Sequence, residues 1–149
     1  MGVGGVGPKI IVPMVIMLAL TGWISYVYRP TFDFSFLPRE LTLALGGLLL
    51  LLGIPLWLWS VTTFLAAFQK GKLATGGPYA IVLNPVYSSW IVFIVPGIAL
   101  LLNFWLVLAT SIVMYLCQLR FIHEEDDYLR QKFTRQYEEY RKKVIIKFL

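Results

Sequence analysis

Charge is the property that this sequence has least of. Only 14% of its 149 residues are Asp, Glu, Lys or Arg, whereas 58% are hydrophobic. Soluble domains carry about 25% charged residues, so the composition excludes an ordinary soluble globular domain. The long apolar runs approach the length of about 20 residues that a membrane span requires. The sequence therefore predicts an all-α integral membrane protein.

Cysteine and histidine are almost absent as well. The one cysteine, Cys117, lies inside an apolar run, which excludes a disulfide framework. The one histidine, His123, precedes four acidic residues, and a metalloprotease H-E-x-x-H pattern would need a second histidine where Asp127 stands. Ser88 and Ser89 lack the G-x-S-x-G context of a serine hydrolase. We therefore expect neither a metal site nor a hydrolase triad.

Four apolar segments make up most of the chain. They cover about residues 10–28, 41–68, 86–102 and 104–121. Only Asn103 separates the third span from the fourth, which predicts a tight helical hairpin. Gly46, Gly47 and Gly53 in the second span permit another helix to approach closely. No repeat divides the sequence, so we treat residues 1–149 as a single membrane-embedded domain.

Basic residues are distributed unevenly between the two ends of these spans. With four spans, Lys9, Lys70, Lys72 and the Lys/Arg-rich tail of residues 122–149 fall on one side. The loop on the opposite side contains only two basic residues, Arg29 and Arg39. The positive-inside rule then predicts a multi-pass protein with both termini in the cytoplasm. The net charge of +5 indicates an anionic lipid surface rather than nucleic acid as the partner.

The charged tail predicts an amphipathic helix on the cytosolic side. Its apolar residues recur at helical spacings of four, four, three and four. They are Leu129, Phe133, Tyr137, Tyr140 and Val144. Such a helix would rest on the bilayer surface, or it would close its aromatic face over a pocket formed by the loop before the third span.

That loop, GKLATGGPYAIVLNPVYSS at residues 71–89, is rich in turn-forming residues. Asn84 and Pro85 suit the start of the third span as its cap and first residue. The start of a helix also exposes N–H groups that can bind a ligand carboxylate. Tyr79 and Tyr87 flank this point, where they can stack on a purine or line a pocket.

Two motifs resemble a known family. Gly77-Pro78-Tyr79, followed after four residues by Asn84-Pro85-Val86-Tyr87, resembles the Gly-Pro-Tyr … Arg-His-Pro-x-Tyr signature of isoprenylcysteine carboxyl methyltransferases and phospholipid methyltransferases. The segment 125–140 resembles their Glu-Glu-x-x-Leu-x-x-x-Phe-Gly-x-x-Tyr-x-x-Tyr motif. The resemblance covers about the last eighty residues and is specific as a pair. The chain departs from it at Leu83-Asn84, which replace Arg-His, and at Thr134, which replaces Gly.

This resemblance implies a membrane methyltransferase that uses S-adenosylmethionine at the cytosolic face. The acceptor it implies is lipophilic: a prenylcysteine-like carboxylate, an aminolipid or a hydrophobic thiol. The cofactor-binding residues carried over to this chain are Tyr79, Asn84, Pro85, Tyr87, Glu124 and Glu125. Arg120 and Asn84 are the candidates for catalysis, with Arg120 orienting the cofactor or the acceptor.

Two other hypotheses stay open at the level of sequence. One is an NADPH-dependent membrane reductase of the steroid-reductase type, although Tyr137 and Tyr140 fit the methyltransferases better. The other is a catalytically silent helical scaffold. Its glycine-rich second span would serve helix association, and Leu83 and Asn84 would mark a lost function.

Overall fold

Helices account for most of the structure, a computed structural model that describes residues 7–147. The helices are α1 (Gly7–Val27), α2 (Arg39–Gln69), α3 (Pro85–Ser89), α4 (Val95–Leu102) and α5 (Leu108–Lys143). A π-helical turn, Trp90–Ile94, joins α3 to α4, so that Pro85–Leu102 forms one candidate span. The described residues contain four helical segments long and apolar enough to cross a membrane, which confirms the predicted all-α class. The last two residues of the predicted tail, Phe148 and Leu149, lie outside the described residues.

The last helix is much longer than the predicted fourth span. Its 36 residues run from Leu108 to Lys143 without a boundary where the charged tail begins. The continuous part before Thr134, residues 108–133, corresponds to about 39 Å at 1.5 Å per residue, whereas the hydrocarbon layer is about 30 Å thick. The charged part of α5 therefore extends beyond the apolar layer. The backbone leaves helical geometry only at Thr134 (φ 38°, ψ −107°), so the short C-terminal part of the helix starts there and not at residue 122.

One end of the bundle is closed by the loop between α1 and α2. The N–H of Trp105 donates to the carbonyl oxygen of Phe32 at 3.0 Å. Asn103 ends α4 in the left-handed conformation (φ 66°), and residues 103–107 connect α4 to α5. The Arg39 guanidinium donates to two carbonyl oxygens at the C-terminal end of α4, at 3.1 and 2.7 Å. These contacts satisfy backbone groups that a helix end leaves free.

At the other end of the bundle, the start of α1 and the loop before α3 lie close to α5 and the segment that follows it. The Lys9 ammonium lies 2.6 Å from a carboxylate oxygen of Glu124. Ile146 pairs with the loop in parallel orientation: its N–H donates to Ile81, and its carbonyl accepts from Leu83, both at 2.9 Å. The loop and the C-terminal segment, far apart in sequence, therefore lie at the same end of the bundle.

Glycines allow α2 to pack closely against the third span. A Cβ atom on Gly53 would lie 2.6 Å from the Cβ of Phe93, and one on Gly46 would lie 3.0 Å from the carbonyl oxygen of Gly97. Around Gly47, by contrast, no described atom lies within 4 Å of such a Cβ. Two of the three predicted glycines thus serve helix contact inside the chain.

The first and last helices pack on each other through both apolar and hydroxyl side chains. Ile10, Met14 and Met114 form a buried apolar cluster. The hydroxyl oxygens of Thr21 and Thr110, both buried, lie 3.2 Å apart. A hydroxyl within an apolar layer needs such a partner, because no water is available there.

We expect Gly53→Ala to destabilise the protein and Gly47→Ala to leave it unchanged or slightly more stable. At Gly53 the added methyl collides with Phe93, and overpacking of this kind costs about 1–3 kcal/mol. At Gly47 the methyl meets open space, and alanine favours a helix over glycine by up to about 1 kcal/mol. Thermal unfolding of both variants in the same detergent checks this. Equal midpoints would contradict the close packing of α2.

Candidate functional site

A cavity of about 240 Å³ lies where the loop before α3 meets α5. Its walls come from the start of α1, the end of α2, the loop, α3 and the charged half of α5. Most lining side chains are apolar or aromatic. The charged and amide side chains among them are Lys72, Asn84, Glu125, Asp126 and Lys132. An apolar cavity with a few convergent polar groups is typical of a small-molecule site.

The loop reaches the cavity through a tight turn. Gly77 adopts a left-handed conformation (φ 57°), and a Cβ there would lie 3.1 Å from the indole nitrogen of Trp59. Glycine suits this position because it tolerates positive φ and needs no space for a side chain. Tyr79 follows in a 3₁₀ turn and lines the cavity. Its carbonyl oxygen accepts a hydrogen bond from the Tyr140 hydroxyl at 2.9 Å, which attaches the loop to α5.

Asn84 stands at the start of α3 but does not cap the helix with its side chain. Its carbonyl oxygen accepts hydrogen bonds from the N–H and the hydroxyl of Ser88, at 3.0 and 2.9 Å. The side chain lines the cavity instead, as does that of Tyr87 one turn further along. Pro85 is buried at the first helical position and does not line the cavity.

Glu125 contributes a carboxylate to the cavity. Its Oε2 atom is buried and has no hydrogen-bond partner among the described residues. The residue lies beyond the apolar part of α5, where burial, aided by neighbouring Asp126, raises the pKa of the carboxyl from 4.5 to about 7. Burial likewise raises the pKa of the Tyr79 hydroxyl, with the Glu125 carboxylate adding to the effect. A buried carboxylate without a partner is costly, so this oxygen is suited to a cation or a hydrogen-bond donor.

In contrast to Glu125, Asp126 has a partner for each of its carboxylate oxygens. Its Oδ1 accepts a hydrogen bond from the Tyr137 hydroxyl at 2.5 Å, and its Oδ2 lies 3.5 Å from the Arg141 guanidinium. On an unbroken helix, residues eleven apart would be separated by about 16 Å along the axis. The break at Thr134 brings these two side chains into contact. The C-terminal part of α5 is thereby held back against its own preceding turns.

The aromatic face predicted for the tail forms one wall of the site. Leu83 is buried in a cluster with residues from this face. The members contributed by the tail are Leu129, Phe133, Tyr137, Tyr140 and Val144. Burial raises the pKa of the Tyr140 hydroxyl, which therefore stays protonated and able to donate to the loop.

Besides Pro85, two further predicted site residues, Glu124 and Arg120, lie outside the cavity lining. Glu124 is exposed and pairs with Lys9. Arg120 is also exposed, with its guanidinium 5.7 Å from the centre of the adjacent Phe121 ring. Neither residue is among those that form the cavity wall. Among residues 7–147, no group of three His, Cys, Asp or Glu side chains is placed to hold a metal ion.

Sequence reasoning missed an aromatic group at the end of α2 and the lysine beside it. Phe64 and Phe68 line the cavity because α2 is long enough to extend past the apolar layer. The Lys132 ammonium lies 5.4–5.8 Å from the centres of the Phe68, Tyr128 and Phe133 rings. The 31-residue length of α2 was the available signal, but hydropathy does not distinguish a protruding phenylalanine from a lipid-facing one.

Comparison with known proteins bears directly on this region. The model of the family described as phospholipid methyltransferase matches residues 41–136, nearly two thirds of the chain. The matched range contains nearly all of α2, the loop and most of α5, and thus most of the cavity wall. No curated protein and no solved structure gave a significant match. From the extent of the family match, this chain belongs to the phospholipid methyltransferase family.

Proposed function

We propose that this protein transfers a methyl group from S-adenosylmethionine to a lipophilic acceptor bound in the cavity. The observation that carries the proposal is the Glu125 Oε2 atom, which is buried without a hydrogen-bond partner in an aromatic-lined cavity. Membership of the phospholipid methyltransferase family supports methyl transfer and a lipid acceptor. The unpaired Glu125 oxygen supports a ligand with a cationic or hydrogen-bond-donating group.

The residues present fit the cofactor. S-adenosylmethionine is positively charged at sulfur and at its amino group, and either charge would satisfy the free oxygen of Glu125. Tyr79 and Tyr87 offer aromatic rings to the cation or to the purine. The Asn84 amide, which is not used for capping, is available to hydrogen-bond the ligand. When bound, the cofactor supplies an electrophilic methyl group, so the chain needs no nucleophile of its own.

The remaining task of the protein is to position an acceptor and exclude water. Ile11 and Val61 extend the lining towards the apolar parts of α1 and α2. An acceptor with a long apolar part can therefore keep that part against membrane helices while its reactive group lies near Glu125. Alignment of two bound reactants lowers the barrier of the transfer step. A carboxylate, an amine and a thiol all stay open as the reactive group.

Arg120, Pro85 and Glu124 lie outside the lining of the cavity, and we propose only indirect roles for them. Arg120 stands one turn before Glu124 on α5, close to where the apolar stretch ends. From there it would orient an acceptor that approaches from the bilayer.

We also propose that the end containing the cavity faces the cytoplasm. Lys9, Lys70 and Lys72 lie at this end together with the basic part of α5, whereas the opposite loop contributes Arg29 and Arg39. The positive-inside rule favours the cytoplasm for the more basic side. This orientation would give the cavity access to a water-soluble cofactor.

Binding of S-adenosylhomocysteine to the detergent-solubilised protein tests the cofactor. We expect measurable binding heat, and we expect Glu125→Gln to weaken the affinity for S-adenosylmethionine, which carries both cations, by about tenfold to a hundredfold, the range for an interaction with a charged group. Asp127→Asn is the matched control, because it removes a charge from an exposed residue two positions away that does not line the cavity. Isothermal titration calorimetry provides the measurement.

Absence of binding heat from folded wild-type protein would refute the cofactor assignment. Protection from thermal unfolding by NADPH but not by S-adenosylmethionine would favour a reductase instead. With binding established, transfer of a labelled methyl group to a panel of lipid extracts identifies the acceptor class.

The affinity for S-adenosylmethionine should fall as the pH is lowered from 8 to 6. The Glu125 carboxyl has a pKa of about 7 in the free protein, so below this value it is increasingly protonated and no longer attracts a cation. The cation binds more tightly to the ionised Glu125 carboxylate than to the protonated acid. The affinity therefore falls by up to about tenfold per pH unit once the pH is well below the pKa of this group. Calorimetry across this range with wild type and Glu125→Gln measures it. A wild-type affinity that changes no more than that of the variant would exclude Glu125 as the group that faces the cation.

A further inference from the structure

A short apolar and basic surface stands at the end of the bundle, apart from the cavity. Ile145 is 76% exposed and Ile81 is 52% exposed, although neither belongs to a membrane-crossing helix. The parallel pairing of Val82 with Ile146 sets the two preceding residues, Ile81 and Ile145, beside each other. We call this pair, with the lysines described next, the docking surface.

Three exposed lysines surround Ile145 in the sequence: Lys142, Lys143 and Lys147. None of the ion pairs among residues 7–147 involves them. The acidic residues nearest in sequence are already occupied, since Glu138 pairs with Arg130 and Glu139 with Arg135. The docking surface therefore combines free positive charge with exposed isoleucine side chains.

The position of the docking surface relative to the hydrocarbon layer follows from the length of the third span. The segment Pro85–Leu102 has 18 residues, which corresponds to about 27 Å and nearly fills a hydrocarbon layer of about 30 Å. Its first residue therefore lies near the boundary of that layer. On this placement Ile81, four residues earlier, would lie at the level of the lipid headgroups. Its hydrogen bond with Ile146 fixes the C-terminal segment at the same level.

We propose that residues 142–147, together with Ile81, dock onto the anionic headgroup layer of the membrane that the chain spans. The isoleucine side chains enter the boundary between headgroups and acyl chains, and the lysines contact lipid phosphates. Apolar side chains flanked by lysine are the pattern by which protein segments rest on such surfaces. The surface is continuous with the spanning helices, so docking requires no movement of the bundle. The inference is independent of the reaction proposed above.

Docking would also stabilise the cavity wall. Val144 is buried with Leu83 and Tyr140. The Tyr140 hydroxyl in turn donates a hydrogen bond to the carbonyl oxygen of Tyr79. A segment seated on the lipid would keep these contacts closed. Anionic lipid would thus stabilise the loop before α3 through Ile146, which forms backbone hydrogen bonds with that loop.

A fluorescent label at position 145 tests the proposal in full-length protein. Ile145→Cys in a Cys117→Ala background would be labelled with an environment-sensitive fluorophore and reconstituted at one copy per nanodisc. The control is Gln131→Cys, also exposed but on the part of α5 before the break. Nanodiscs of phosphatidylcholine, alone or mixed with phosphatidylglycerol, would carry a lipid quencher near the headgroup.

We expect the label at position 145, but not at 131, to be quenched by the lipid and protected from aqueous iodide. Phosphatidylglycerol should also raise the equilibrium constant for docking, by about fivefold for each contributing lysine. Replacing Lys142, Lys143 and Lys147 with glutamine should abolish that increase, and high salt should reduce it.

Equal iodide quenching at positions 145 and 131 would overturn the proposal. Protection that appears only with two copies per nanodisc would overturn it as well, since a second chain would then cover the surface. Protection unaffected by phosphatidylglycerol and by the lysine substitutions would overturn the assignment to anionic headgroups. Unchanged thermal midpoints of the labelled proteins show that each result comes from folded material.

Discussion

The contact between Asp126 and Tyr137 is the interaction on which the site depends. It joins two parts of α5 across the break at Thr134. The Arg141 guanidinium forms an ion pair with the other carboxylate oxygen of Asp126. Without the break, α5 would continue away from the bundle and carry its aromatic residues into water. With it, Tyr140 meets the loop before α3 and closes one wall of the cavity. A buried acid is tolerated here because it is hydrogen-bonded and paired.

Close packing elsewhere supplies the opposite wall. The small surfaces of Gly46 and Gly53 hold α2 against the third span, so the direction of α2 is fixed by backbone contact. Its 31 residues then carry Phe64 and Phe68 past the apolar layer to the cavity. The same glycines had suggested a scaffold that associates with other helices. Within this chain they are used for the fold itself.

Adjacent acidic residues have three different environments at this site. Glu124 is exposed and paired with Lys9, Glu125 faces the cavity without a partner, and Asp126 is buried in the structural contact with Tyr137. Successive residues on a helix point about 100° apart, so packing on different sides gives each a different neighbour. Only the residue whose charge is left uncompensated is available to a ligand. The proposed cofactor contact therefore involves Glu125 rather than its neighbours.

Composition and hydropathy alone determined the all-α class and the four apolar segments, because burial in lipid requires long uninterrupted runs of apolar residues. The paired motifs also identified the family, which the match over residues 41–136 confirmed. The tertiary structure decided that the tail continues α5 as far as Thr134, that the Asn84 side chain does not cap α3, and that Glu125 rather than Glu124 lines the cavity. Helical periodicity is a local property, whereas the break at Thr134 is stabilised by contacts between distant turns. Those contacts exist only once the helices have packed.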